Sequence, residues 1–317
     1  MDGQSFELVI SGQPHKRISY FTELEFERAA TVGGPRGGEV LVEQAYTDLS
    51  ITDWLNLRGG VLLVPFGNIE RDHYAPLRDV ISKPYTSFAI APSDWTDNGL
   101  GFNGKFNLSD NWIADYQTYV IAGLGNGLST TGLRATRQGF GVDNNNNKAI
   151  ASKITLHDTS GLSFGLSHYS GAWDDLSSKS INGYNLDLNF QLAWYELVAE
   201  YSNMNIDRLS SGSANMQGYY LRNLFSLEGL FDEHWLGEDF SHPKLTLVAQ
   251  LDAINIENYL SASLPDNWEK RITLGLNLDV THSWRAKINY EHAWSAQLDQ
   301  ILRGDDDVWS LSLGYLF

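Results

Sequence analysis

A chain of 317 residues without cysteine has neither disulfides nor thiolate chemistry available to it. Its 22 Lys and Arg against 39 Asp and Glu give a net charge of −17, which excludes the basic stripe of a nucleic-acid binder. No apolar run nears the roughly 20 residues of a membrane-spanning helix, and a mean hydropathy of −0.28 leaves open a surface hidden in alternate residues.

Met1, Asp2 and Gly3 open the chain without a basic n-region or an apolar h-region. No signal peptide is read here, and the odd strand count below leads to the expectation that one strand and the signal peptide lie upstream of Met1. Alternating runs then predict about fifteen strands near 5–11, 16–28, 39–50, 54–65, 100–108, 112–123, 149–157, 162–171, 181–192, 194–203, 216–227, 244–254, 270–280, 284–294 and 307–317. The faces separate cleanly. Tyr184, Leu186, Leu188, Phe190 and Leu192 alternate with Asn185, Asp187, Asn189 and Gln191. Ile272, Leu274, Leu276, Leu278 and Val280 alternate with Arg271, Thr273, Gly275, Asn277 and Asp279.

Several tight turns carry a Trp (Trp54, Trp112, Trp194, Trp284), whereas the opposite connections are long and polar. Short turns at one end, long loops at the other and Trp beside the short turns fit an outer-membrane barrel with an aromatic girdle. The expected fold is all-β: one transmembrane antiparallel β-barrel domain over residues 1–317, with about 16 strands if one precedes Met1. The alternative is 14 strands, with residues 1–12 outside the wall. The acidic, aromatic stretch Glu228 to Pro243 is long where a short turn is due.

The connection from Gly67 to Asn98 is the longest stretch without a strand. Tyr74, Tyr85, Phe88, Ile90 and Trp95 argue that it packs, and packing within the barrel mouth would narrow a pore. Arg71, Arg78 and Lys83 would bring positive charge to that constriction, facing Glu70, Asp72 and Asp79.

Five segments carry a family resemblance. They are Ile18 to Glu27 (ISYFTELEFE), Glu43 to Tyr46 (EQAY), Asn56 to Gly60 (NLRGG), Val64 to Gly67 (VPFG) and Ala91 to Trp95 (APSDW), with Gly99 to Gly101 continuing the pattern. Over residues 5–110 the chain resembles the phosphate-selective porin O and P family. The resemblance implies a trimeric, 16-stranded porin of the Gram-negative outer membrane, anion- or phosphate-selective in some members through a lumenal ladder of Arg and Lys. It implies passive diffusion of small hydrophilic or ionic solutes, with lipid, lipopolysaccharide and the barrel-assembly machinery as partners. On this chain's own lumen faces Arg58, Arg271, Arg285 and Lys287 stand among Glu23, Glu25, Glu196 and Glu200, so ion preference stays open. A structural or conduit barrel, holding a partner protein or anchoring the envelope, is the second reading.

Catalysis finds little support. His168 and Ser170 share a strand face without an assignable third partner, and the eight His show no two-His zinc spacing. No enzyme activity, cofactor or metal is expected. Asp143, the Asn run after it and Asp305 to Asp307 read as solvated turns. The final strand sets Trp309, Leu311, Leu313, Tyr315 and Phe317 at period two, and resembles the assembly signal of outer-membrane barrels.

Overall fold

Alternation along the sequence becomes an inversion of the usual protein interior in space. Leu186 and Leu274 stand 49% and 48% exposed, while their strand neighbours Asn185, Asp187, Thr273 and Arg271 are buried. The apolar sides point outward and the polar sides inward, the arrangement of a sheet curled around a polar interior with its outer face toward lipid.

The computed structural model describes residues 5–27, 38–91, 94–128, 132–137, 146–231, 234–240, 243–257, 268–295 and 307–316. Fifteen strands are found there: β1 (Ser5–His15), β2 (Ile18–Glu27), β3 (Glu39–Thr52), β4 (Leu55–Leu63), β5 (Thr96–Asn107), β6 (Trp112–Ile121), β7 (Ala149–Asp158) and β8 (Leu162–Ala172). The rest are β9 (Ser180–Gln191), β10 (Tyr195–Asp207), β11 (Ser213–Ser226), β12 (Lys244–Ile256), β13 (Trp268–Asp279), β14 (Trp284–Ser295) and β15 (Asp307–Tyr315). Each pairs antiparallel with its neighbour in sequence, in one sheet ordered β1 to β15. The 14-strand alternative fails. β1 registers on β2 from Ser5–Glu27 to His15–Ile18, its Leu8 and Phe6 opposite Leu24 and Phe26, and so belongs to the wall.

β1 and β15 are the edges of this sheet. On β15 Leu311 is 80% exposed, well above the outward residues of the inner strands. Phe317 of the expected assembly signal lies outside the described residues, as do Asp143 and Asp305.

The hairpins closed by Trp54, Trp112, Trp194 and Trp284 all lie at one end. At that end the β11–β12 connection is the exception, holding a 3₁₀ turn at Glu228–Leu230 and the stacked pair Phe231–Trp235. The β4–β5 connection differs from expectation. It is ordered by two short helices, α1 (Ile69–His73) and α2 (Tyr85–Ala89), and β5 begins at Thr96, inside the stretch read as loop. Alternation is lost in such short helices, which is why periodicity did not show them.

One strand departs from simple pleating. β3 pairs with β2 at Glu23–Gln44 and then at Leu24–Val42, so Glu43 is an extra residue in a β-bulge. Above the bulge Glu39 lies opposite Glu27, and below it Tyr46 lies opposite Phe21. Strict alternation from Tyr46 and Gln44 would send Glu43 and Glu39 to the lipid face; the bulge resets the pleat and keeps both inside.

Candidate functional site: the lumen and its inserted loop

The β4–β5 loop enters the barrel at Gly67. Its φ of +76° suits glycine, and a Cβ there would come within 3.0 Å of Asn185 Nδ2 and 3.3 Å of the Glu200 carboxylate. The wall holds this entry from four strands. Lys153 Nζ donates to the Gly67 carbonyl (2.8 Å), Gly67 N–H donates to Ser167 Oγ (3.2 Å), Asn68 N–H donates to Glu200 (2.8 Å), and Asn68 Nδ2 reaches Tyr220 (3.3 Å). Glu200, expected to line the pore, lies buried under the loop.

Further along, a network of charges ties loop to wall. Asp79 accepts from Arg71 (2.9 Å) and from the fully buried Arg222 (2.7 Å), while Arg71 also reaches Glu196 (2.7 Å). Burial opposes the Asp79 carboxylate, but Arg222 and Arg71 hold it below the usual carboxylate range. Arg271 pairs with Asp252 (3.1 Å) and Glu291 (3.4 Å), donates to the Lys83 carbonyl (2.9 Å) and lies 4.5 Å from the Tyr85 ring centroid. Lys287 Nζ donates to the Ala75 carbonyl (2.8 Å), and Arg285 holds Asp279 and the Leu77 carbonyl (3.1 Å). Arg271 and Lys287 are thus covered by the loop. Arg58 is separate, paired in two bonds with Asp48 (2.8 and 2.7 Å) over the Tyr46 ring.

An apolar cluster that includes Trp95 joins the loop to the wall. Trp95 lies 6.1 Å from Phe66 and 5.0 Å from Tyr169, and Leu62, Ile90, Tyr119, Leu124 and Met204 belong to the same cluster. The loop thus meets the wall through apolar side chains in one region and through charged ones in another.

The polar side holds a cavity of about 750 Å³ between β1–β3 and the loop. Glu7, Glu23, Glu25, Glu27, Glu39 and Glu43 line one wall; Arg78, Lys83, Arg134 and Arg137 line the other with Asp94 and His73. Of the residues expected at a constriction, Glu23, Glu25, Arg78 and Lys83 meet here; Arg71 and Glu196 meet elsewhere in the lumen. The side chains of Glu70 and Asp72 lie outside the described ones. Arg134 and Arg137 belong to the β6–β7 connection and offered no periodic signal; Glu43 was hidden by its bulge.

His73 bridges the cavity. Nε2 donates to Glu23 (2.9 Å) and Nδ1 to Asp94 (3.1 Å), so both ring nitrogens carry protons. Burial disfavours that charge, but the hydrogen bonds to Asp94 and Glu23 outweigh it and push the pKa up to about 10. Burial would raise Asp94 too, yet His73 and Lys83 (2.5 Å) hold it well below the usual carboxylate range. Away from the lumen, Ser170 Oγ donates to Asn182 Oδ1 (2.6 Å).

With this geometry in hand, comparison places the architecture. No protein-family model matches the chain. A curated relative, an uncharacterized protein of Aquifex aeolicus (strain VF5), is 26% identical over 243 residues, covering 68% of this chain and 54% of that protein. The chain thus spans about half the length of that relative. Among solved structures, Salmonella typhi OmpF in complex with daunomycin aligns over 98% of this chain and 89% of its own, with TM-score 0.62 and 12% identity. The outer membrane channel DcaP of Acinetobacter baumannii gives TM-score 0.61 at 10% identity, over 98% and 84% of the two chains. The anion-selective porin from Comamonas acidovorans gives TM-score 0.60 at 14% identity, over 93% and 80%. The fold is that of Gram-negative outer-membrane porins. At these identities the likeness is one of fold.

Proposed function

We propose that this chain is an outer-membrane porin, a passive path for small hydrophilic or ionic solutes that runs between the β1–β3 carboxylates and the inserted loop. The observation that carries this reading is the polar cavity of about 750 Å³ inside a barrel whose outer face is apolar. The loop read as 67–98 is the constriction, and the opposed acids and bases set a field across the path.

Asp94 is engaged by Lys83 and His73, and Glu23 by His73; Glu7, Glu25, Glu27, Glu39 and Glu43 line the cavity across from Arg78, Arg134 and Arg137. We read the surplus of acidic side chains along this wall as favouring cations. Within the likeness to the phosphate-selective O and P family we therefore read a cation-preferring path, without the phosphate ladder. Gram-negative outer-membrane localisation, contacts with lipid and lipopolysaccharide, insertion by the barrel-assembly machinery and a homotrimer belong to the same proposal.

Planar-bilayer recording of the refolded protein under a KCl gradient tests it. Open steps with a reversal potential on the cation side are expected. A folded, heat-modifiable barrel without steps would favour the conduit or anchor reading, for which the apolar cluster inside the barrel is the supporting observation.

A further inference from the structure

The bulge on β3 sets apart one carboxylate of the cavity wall. Glu43 is only 6% exposed, yet its Oε2 accepts no hydrogen bond. Its neighbour in the bulge, Gln44, is used differently: Gln44 Nε2 donates to Glu23 at 2.7 Å, in the bridge that His73 completes. A buried carboxylate oxygen without a donor is costly, and here it sits at a bulge, a feature common beside functional sites. Beside it Glu7 and Glu25 lie directly opposite each other across β1 and β2, where like charges repel.

Among the described residues, no loop base donates a hydrogen bond to Glu43 Oε2. Lys83 is held by Asp94, and Arg137 donates to the carbonyls of Asp94 and Arg134. The described carboxylates do not close into a metal-holding group, so a small bare ion finds no cage. The cavity in front of them admits a larger donor. We infer that Glu43, with Glu25 and Glu7, forms a subsite for the protonated amine or guanidinium head of a small organic solute. Such a head carries several N–H donors on one charge, which matches a buried oxygen without a donor beside a carboxylate pair.

The inference rests on reading the lumen as a solute path, and its test separates the two. n-Butylammonium is added during K⁺ recording from the full chain in planar bilayers, and saturable block of the current is expected. Glu43→Gln should raise the half-blocking concentration by roughly tenfold, as loss of one charge-assisted hydrogen bond implies. Glu25→Gln gives the same readout should Glu43→Gln not fold. Block that never saturates, block indifferent to these substitutions, or Mg²⁺ blocking at the same concentration and with the same sensitivity overturns the subsite. Saturable binding of n-butylammonium to the detergent-refolded protein, weakened by Glu43→Gln, supports it even where no channel steps occur, in which case only the porin reading falls. Steps without any such binding leave the porin and remove the subsite.

Discussion

His73 and Glu23, fifty residues apart, meet across the lumen with Nε2 and Oε1 2.9 Å apart, strapping the inserted loop to the β2 wall. The second ring nitrogen is taken by Asp94, so the strap needs the imidazolium.

Its pH dependence has a definite sign. The folded pKa of about 10 lies above the ordinary 6.5, so the strap contributes fully below about 6.5 and is lost as pH rises through about 10. Single-channel conductance is expected to stay level to about pH 9 and to rise and become noisier above about 10. His73→Ala should show the open, noisy current at neutral pH and no step near 10; an unchanged profile would remove the strap.

Asp79 stands between two guanidiniums, one of them the buried Arg222. Asp79→Ala leaves that charge without its carboxylate, which is expected to cost about 3–5 kcal/mol. The check is the temperature at which the folded band disappears in heat-modifiability gels. Combining it with Arg222→Met should recover part of the loss, and a purely additive double variant would mean the pair is not coupled.

Charge substitutions in the cavity should move selectivity in opposite directions. One unit charge at about 8 Å in water is worth about 0.5 kcal/mol, so each change shifts the permeability ratio roughly twofold. Arg78→Gln is expected to move the reversal potential toward cations and Glu27→Gln toward anions. Arg71→Gln should do less, because Asp79 and Glu196 already balance it.

The outward face is tested where the barrel wall is most regular. Leu274 sits mid-strand on β13, half-exposed among Ile272 and Leu276. Leu274→Arg is expected to cost about 2–4 kcal/mol at the bilayer midplane. Refolding into lipid vesicles, followed in urea, reads this directly. Equal stability of variant and parent would argue against a lipid-facing surface.

Most of the wall was legible because a strand with one greasy face writes its period into the sequence. β9 and β13 fall within a residue or two of their expected bounds. What escaped lacks a period. The bulge at Glu43 shifts the pleat by one place, which a strict alternation overrides. α1 and α2 span five residues each, too short for a 3.6-residue pattern to repeat. The partners of Arg271 and Arg222 come from a loop 188 and 143 positions away, a distance no local signal spans. Sequence could place these side chains on an inward face, but not say that a loop covers them.

Those separations also order events in time. The loop leaves β4, yet its anchors lie on strands as late as β14, with Ala75 and Lys287 212 positions apart. Contacts between such distant parts of a chain form slowly, after the intervening segments have found their places. The loop is therefore expected to settle last, after β11 to β14 have paired. A barrel caught midway through assembly is wide and leaky, and its conductance should fall, rather than rise, on the way to the finished protein.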